Sequence, residues 1–427
     1  MSTRARKYGA AVAVGAVSLW LSAGAAARQE TVDSVLQKVR EATGWARMIE
    51  HPQGIQLSGK ARMAGLDSTY ILIFDSHGHH AQHIDGRISV GGGFDGTRAW
   101  VNDIGGERRV LELGDREQAV LGGLISTGGW VAADAPLALT LDESAAAEGP
   151  AVLKFKVKDG EIAGRVEIDR KAWLPQKWTY DVGGATYSFK FEGVTEFGGM
   201  KFPAKVERTG STGMSMVMTI ENAGDAPQFI RSPYEPVLSP PDDITFDAAA
   251  AAGLEIKKAP TGHLLVHPLV NGQDVGWFIF DTGAGANILE KRAAETLGVE
   301  QYGEIPAVGV GGTTMSHVCR PETLTVGPAT MLKPQMIVMD LAFLDAHMSV
   351  PIAGLVGYGI LHRTVAKVDM ETPLVELFDP AKFDGAGLKW SKLAVDGRVA
   401  CVEASFEDHT GYFHLDTGAG ASTVTMH

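Results

Sequence analysis

The string Asp-Thr-Gly-Ala-Gly-Ala occurs twice, at residues 281–286 and 416–421, each time at the end of an apolar run. A single Asp-x-Gly is ordinary turn chemistry. The run before the first copy, Trp277-Phe278-Ile279-Phe280, is apolar on both faces and predicts a buried strand that delivers Asp281 into the interior. A carboxyl at that position is costly unless something uses it. Gly283 allows a sharp backbone turn, and Thr282 offers a hydroxyl able to reach a partner loop. The stretch 393–422 repeats the layout of 263–287: apolar strand, turn, apolar strand, aspartate. The chain therefore reads as a tandem repeat in which Asp416 is the equivalent of Asp281.

Residues downstream of the first copy narrow the expectation. "AVGVGGTTM", from Ala307 to Met315, is a glycine-rich hairpin suited to a flexible cover, with Val308, Gly309, Val310, Gly311 and Gly312 at its tip. "VPIAGLVGYGIL", from Val350 to Leu361, predicts an apolar strand and the start of a short helix. This order resembles the retropepsin-like aspartic peptidases, particularly the exported bacterial ones, over residues 262–380. The resemblance implies a water-activating pair of aspartates, one from each lobe, sharing a proton. It places Asp281 and Asp416 as the catalytic pair, with Thr282, Gly283, Ala284, Thr417 and Gly418 building the loops. The 308–312 tip would cover a polypeptide substrate, and no metal or cofactor is implied. The second copy has few residues after it, so lobe 2 is expected to be incomplete and the sequence a truncated piece. Pairing of two chains through lobe 1 is then the alternative source of a second aspartate. Gly359 departs from the family pattern, which has Asp or Asn there, and is expected to loosen packing beneath the loop.

Residues 31–43 place Val32, Val35, Leu36 and Val39 at helical spacing, with Gly44 as a stop. Short, partly alternating runs then continue to about Ile220, predicting an antiparallel sheet. "FDGTRAWV", "WLPQKWTYD" and "GMKFPAKVE" give this part a weaker similarity to the outer-membrane lipoprotein-carrier family, which implies a half-open curved sheet over an apolar cavity. An apolar ligand in that unit is the corresponding expectation. The fold class is thus mainly β, with these divisions: residues 28–222, a curved antiparallel sheet with a leading helix; 223–260, a proline-rich linker; 261–381, a retropepsin-like β-barrel lobe; and 388–427, the start of a second lobe.

The N-terminus has a basic start (Arg4, Arg6, Lys7), an apolar run from Gly9 to Leu21, and Ala25 and Ala27 placed as an A-x-A cleavage site. Residues 1–27 read as a secretory signal peptide, so the protein is expected to be exported, periplasmic or secreted. The formal charge of −13 argues against nucleic acid as a partner. Cys319 and Cys401 could bridge the two repeats after export. His77, His79, His80 and His83 cluster in sequence, with His77 and His79 read as sharing one face of a strand, yet no Cys or supporting pattern argues for a metal. Two functions are compatible with these features: an aspartic endopeptidase, or a non-catalytic periplasmic lipid- or peptide-binding protein with a peptidase-like docking lobe.

Overall fold

The computed structural model describes residues 30–146, 148–238, 241–309 and 312–422. The leader 1–27, the hairpin tip residues Val310 and Gly311, and the last residues 423–427 lie outside the described residues.

The protein is mainly β. Thr31 caps the helix Val32–Thr43 in a reciprocal exchange with Ser34, and Gly44 ends it in the left-handed conformation at φ 69°. The helix buries Val35, Leu36 and Val39, the spacing read from the sequence. They meet Leu121, Leu124 and Ile125 of a second helix, Leu113–Thr127, in one core with the inner face of a 13-stranded sheet. That sheet is two antiparallel meanders. The first strand, Ile55–Met63, pairs on one side with Leu66–Phe74 and on the other with the last, Ser215–Asp225, which joins the halves. Trp130 meets Trp178 edge-on at 5.2 Å in the heart of this core.

Residues 223–260 are tacked down at several points. The Trp100 indole N–H donates to the Tyr234 carbonyl at 2.7 Å, Ile244–Phe246 pairs with Ala329–Leu332, and Ile256–Lys258 pairs with Leu264–Val266.

The expected barrel is not closed. Instead, the peptidase-like part is an eight-stranded sheet beside a five-stranded one. The cause is visible at His267-Pro268. Leu264–Val266 pairs with the strand Trp277–Phe280, whereas Leu269–Val270 pairs with Thr323–Val326 in the other sheet. Proline has no amide N–H to donate and breaks the run between them. The Asn271-Gly272 turn has both residues at positive φ (54° and 73°), as a two-residue hairpin requires. Trp277–Phe280 runs parallel to Ile352–Val356, and Gly354 is needed there: a Cβ would stand 2.3 Å from the Phe278 ring. Leu393–Asp396, Val399–Phe406 and His409–His414 form a separate three-stranded sheet that leads to Asp416.

Two further expectations are corrected. The thiols of Cys319 and Cys401 are free, each buried in its own sheet, and burial pushes Cys319 up to about 12. His77 and His79 do not share a strand face. They lie in the turn before the strand His80–Gly86, where the Asp75 carboxylate pairs with the His79 Nδ1 at 2.8 Å and accepts from the His77 amide. His80 is buried against Gly123, where a Cβ would overlap its ring. Among the described residues no group of three or more His, Cys, Asp or Glu side chains is placed to hold a metal.

Candidate active site

The buried strand Trp277–Phe280, with Phe278 and Phe280 fully enclosed, ends at Asp281. The Asp281 amide donates to the Val356 carbonyl at 2.9 Å, and the Tyr358 amide to the Ala284 carbonyl at 2.8 Å, fastening the loop to the Gly354-Leu355-Val356-Gly357 segment. The Asp281 Oδ1 accepts from the amides of Gly283 (2.9 Å) and Ala284 (3.0 Å). In the second loop the Asp416 Oδ1 accepts from the Gly418 amide at 2.8 Å. The two loops thus share the glycine amide bond to the carboxylate, and the first adds the Ala284 amide.

They also meet. The Thr282 amide donates to the Thr417 Oγ1 at 3.1 Å, and the Thr417 amide to the Thr282 Oγ1 at 2.9 Å. Each hydroxyl then donates onward, Thr282 to the Leu415 carbonyl (2.6 Å) and Thr417 to the Phe280 carbonyl (2.7 Å). This reciprocal set has approximate twofold symmetry and sets the carboxylates face to face. Each lies flush on the opposite glycine. A Cβ at Gly283 would stand 2.3 Å from the Asp416 Cγ, and one at Gly418 would stand 2.3 Å from the Asp281 Cγ. Only glycine permits that approach.

Burial pushes the Asp281 carboxyl up to about 6, and the charge of Asp416 beside it adds to the effect; the loop amides pull the other way. The two sides are unequal in exposure. Asp281 is half-buried and backed by its sheet, whereas Asp416 is exposed.

The hairpin Gln301–Gly309 and Gly312–Cys319 forms as the glycine string predicts, with Val308 opposite Thr313 and Gly309 opposite Gly312. Three residues of the surroundings carry no clear signal in the sequence. His263 is buried, its Nε2 2.9 Å from the Gly418 carbonyl and its Nδ1 2.7 Å from the Thr261 hydroxyl, so it braces the second loop. Its only mark is that of a lone polar residue opening an apolar strand. Asn287, also buried, accepts from the Gly357 amide at 3.0 Å and fills the space over Gly359, where a Cβ would stand 2.6 Å from its Nδ2. The loosening expected at Gly359 is therefore offset from across the loop. Arg398 sits behind the first loop, its Nε 3.5 Å from the position of a Cβ on Gly285.

A pair of carboxylates pinned by matching threonines is the arrangement of a peptidase-like site. Residues 266–360 match the family model described as aspartyl protease, and this segment of the chain is aspartyl-protease-like. The match spans Asp281 and the hairpin 301–319 and ends before Asp416. No curated protein matches the chain. Among solved structures, it is similar to the LolA superfamily protein NE2245 from Nitrosomonas europaea, at 15% identity over 47% of this chain and 95% of that one, with a TM-score of 0.34. It is also similar to a DUF1329 family protein from Desulfovibrio piger, at 12% identity over 44% of this chain and 92% of that one, with a TM-score of 0.30.

Proposed function

We propose that this protein is an aspartic endopeptidase of exported type, acting on polypeptide substrates with Asp281 and Asp416 as its catalytic pair. The observation that carries the reading is the reciprocal threonine exchange, which holds two identical aspartate loops with their carboxylates opposed. The aspartyl-protease-like match over 266–360 supports it. A structural role alone gives no reason for two carboxylates to be held together against their repulsion.

In the reaction, a water between the two carboxyls loses a proton to the ionised member as its oxygen attacks the scissile carbonyl carbon. The protonated member donates to the carbonyl oxygen, giving a tetrahedral diol. Collapse of the diol breaks the C–N bond while a proton passes to the leaving nitrogen. Burial and the neighbouring carboxylate raise Asp281, so the pair keeps a shared proton into the mildly acidic range. The hairpin 301–319, including Gly309 and Gly312, would close over the substrate backbone.

Cleavage of an unfolded protein at mildly acidic pH tests the reading. Asp281→Asn and Asp416→Asn should each abolish it, and full activity in either variant sinks the assignment. The binding-protein reading draws on a separate observation, a cavity on the inner face of the N-terminal sheet. It predicts no cleavage in the wild type.

A further inference from the structure

The inner face of the 13-stranded sheet and the helix Leu113–Thr127 do not pack completely. Gly91, Gly92 and Gly93 on one wall and Gly122 and Gly123 on the other leave a cavity of about 440 Å³. That size lies within the roughly 300–1,000 Å³ of small-molecule sites. The sheet wall is apolar at Leu72, Phe189, Met216 and Met218. Cations stand among and beside these: Arg208 rises between Phe189 and Met216, its guanidinium 5.4 Å over the Phe189 ring. Arg109 gives its Nη2 to Asp115 at 2.8 Å, but its Nε and Nη1 are buried without a partner. The Nε of Arg208 is likewise buried and unpartnered, and Arg208 forms no ion pair among the described residues. Arg398 enters the same cavity from the peptidase-like part.

The other titratable groups on the wall do not cancel these charges. Burial holds His80 down to about 4, so it is neutral. Burial and the neighbouring Glu107 raise the Asp103 carboxyl, which disfavours its charged form, and its Oδ1 is taken by the Gly105 and Glu107 amides. Asp115 is the remaining acid and is taken by Arg109. Buried guanidinium N–H groups without acceptors are costly and call for an occupant. Here that occupant is an anion, and the apolar wall requires it to carry an apolar body.

The cavity also reaches the sheet that leads to the second aspartate loop. Its roof is the Gly397-Arg398 turn, held by the Gly397 amide donating to the Asp115 Oδ2 at 3.2 Å and by Lys392 on Glu112 at 3.1 Å. That turn lies in the sheet that ends at Asp416, and Arg398 also backs Gly285 of the first loop. We propose that this cavity binds a carboxylate with an apolar body, its head on Arg109, Arg208 and Arg398, and that occupancy tightens the second aspartate loop. A fatty acid and the free C-terminus of an apolar peptide share this chemistry. Binding itself does not rest on the peptidase reading; only the consequence for the loops does.

Calorimetry on the full chain tests the site, with dodecanoate and acetylated trileucine as probes and dodecanol and the trileucine amide as their uncharged counterparts. At least one acid should bind while its counterpart does not, and which acid binds distinguishes the two sources. Arg208→Gln should weaken binding about tenfold or more, and Arg208→Lys should retain part of it. Hydrogen exchange should show slower amides over 393–418 when the probe is bound, a readout that needs no catalysis. Failure of both acids to bind, equal binding of the neutral probes, or indifference to Arg208→Gln overturns the site. Binding without protection of 393–418 overturns the coupling.

Discussion

At the scale of single residues, the cost of holding Asp281 beside Asp416 has a thermodynamic signature. Its carboxyl is raised to about 6, above the ordinary carboxylate range, so the folded protein binds that proton more tightly than the unfolded chain. The stabilising contribution is therefore complete at pH values below about 4 and is lost as pH rises through about 6. Asp281→Asn imitates the protonated acid. It should leave stability unchanged near pH 3 and raise it above pH 6 by about 1 kcal/mol, on the order of 2–4 °C in Tm, while abolishing cleavage. Melting curves across pH read this directly. Asn287 supplies a second prediction. Its truncation to alanine unpairs the buried Gly357 amide and opens a void, at about 2–3 kcal/mol in a denaturant titration. Gly359→Asn alone should clash with Asn287; combined with Asn287→Ala it should recover stability by moving the amide across the loop. Asp281 was legible because its chemistry is written into a repeated motif. Asn287 was not, because the gap at Gly359 exists only once Ala286-Asn287 and Tyr358-Gly359 lie side by side.

At the scale of elements, the hairpin 301–319 is anchored outside its own lobe. Tyr302 and Val318 at its base pack with Ala64 and Ile88 of the N-terminal sheet, and the Glu304 amide donates to the Ala64 carbonyl at 2.9 Å. Arg87 lies 3.9 Å over the Tyr302 ring and pairs with Glu300. Near the far end, a Cβ on Gly213, in the turn before Ser215–Asp225, would be 3.6 Å from Met315. Tyr302→Ala removes the aromatic part of this anchor and should cost about 3 kcal/mol. In peptidase assays it should raise KM more than it lowers kcat, since a loosened cover weakens substrate capture without touching the aspartates. A selective fall in kcat would show that the hairpin takes part in the chemistry. The hairpin itself was readable from its glycines. Its anchorage was not, because no local pattern links Tyr302 to Ala64. The open sheets were hidden for a different reason: Pro268 looks like part of one strand, and only its missing N–H divides the run between two.

At the scale of the molecule, two distant segments converge on one guanidinium beneath the first aspartate loop. Arg363 is 3% exposed; its Nε and Nη2 reach Asp243 as a fork at 2.7 Å each, and its Nη1 donates to Glu107 at 2.7 Å and to the Gly359 carbonyl at 2.8 Å. Asp243 comes from the proline-rich stretch, Glu107 from the N-terminal sheet, and Gly359 from the turn beneath the first aspartate loop. The orientation of the sheet against the peptidase-like part thus depends on a planar, five-donor group that lysine cannot imitate. Arg363→Met leaves two carboxylates without their cation and should cost about 3–5 kcal/mol. Arg363→Lys keeps the charge but can satisfy only part of the set, so it should fall between the two. The informative measurement is the shape of the thermal transition. With the wild-type arginine, the N-terminal sheet and the peptidase-like part should unfold together in a single calorimetric peak. With lysine the peak should broaden, and with methionine it should separate into two. A single sharp peak at lowered Tm in Arg363→Met would mean that the remaining contacts, at Tyr302 and at the Gly397 turn, suffice to couple the two parts, and that the buried cation sets stability without setting cooperativity.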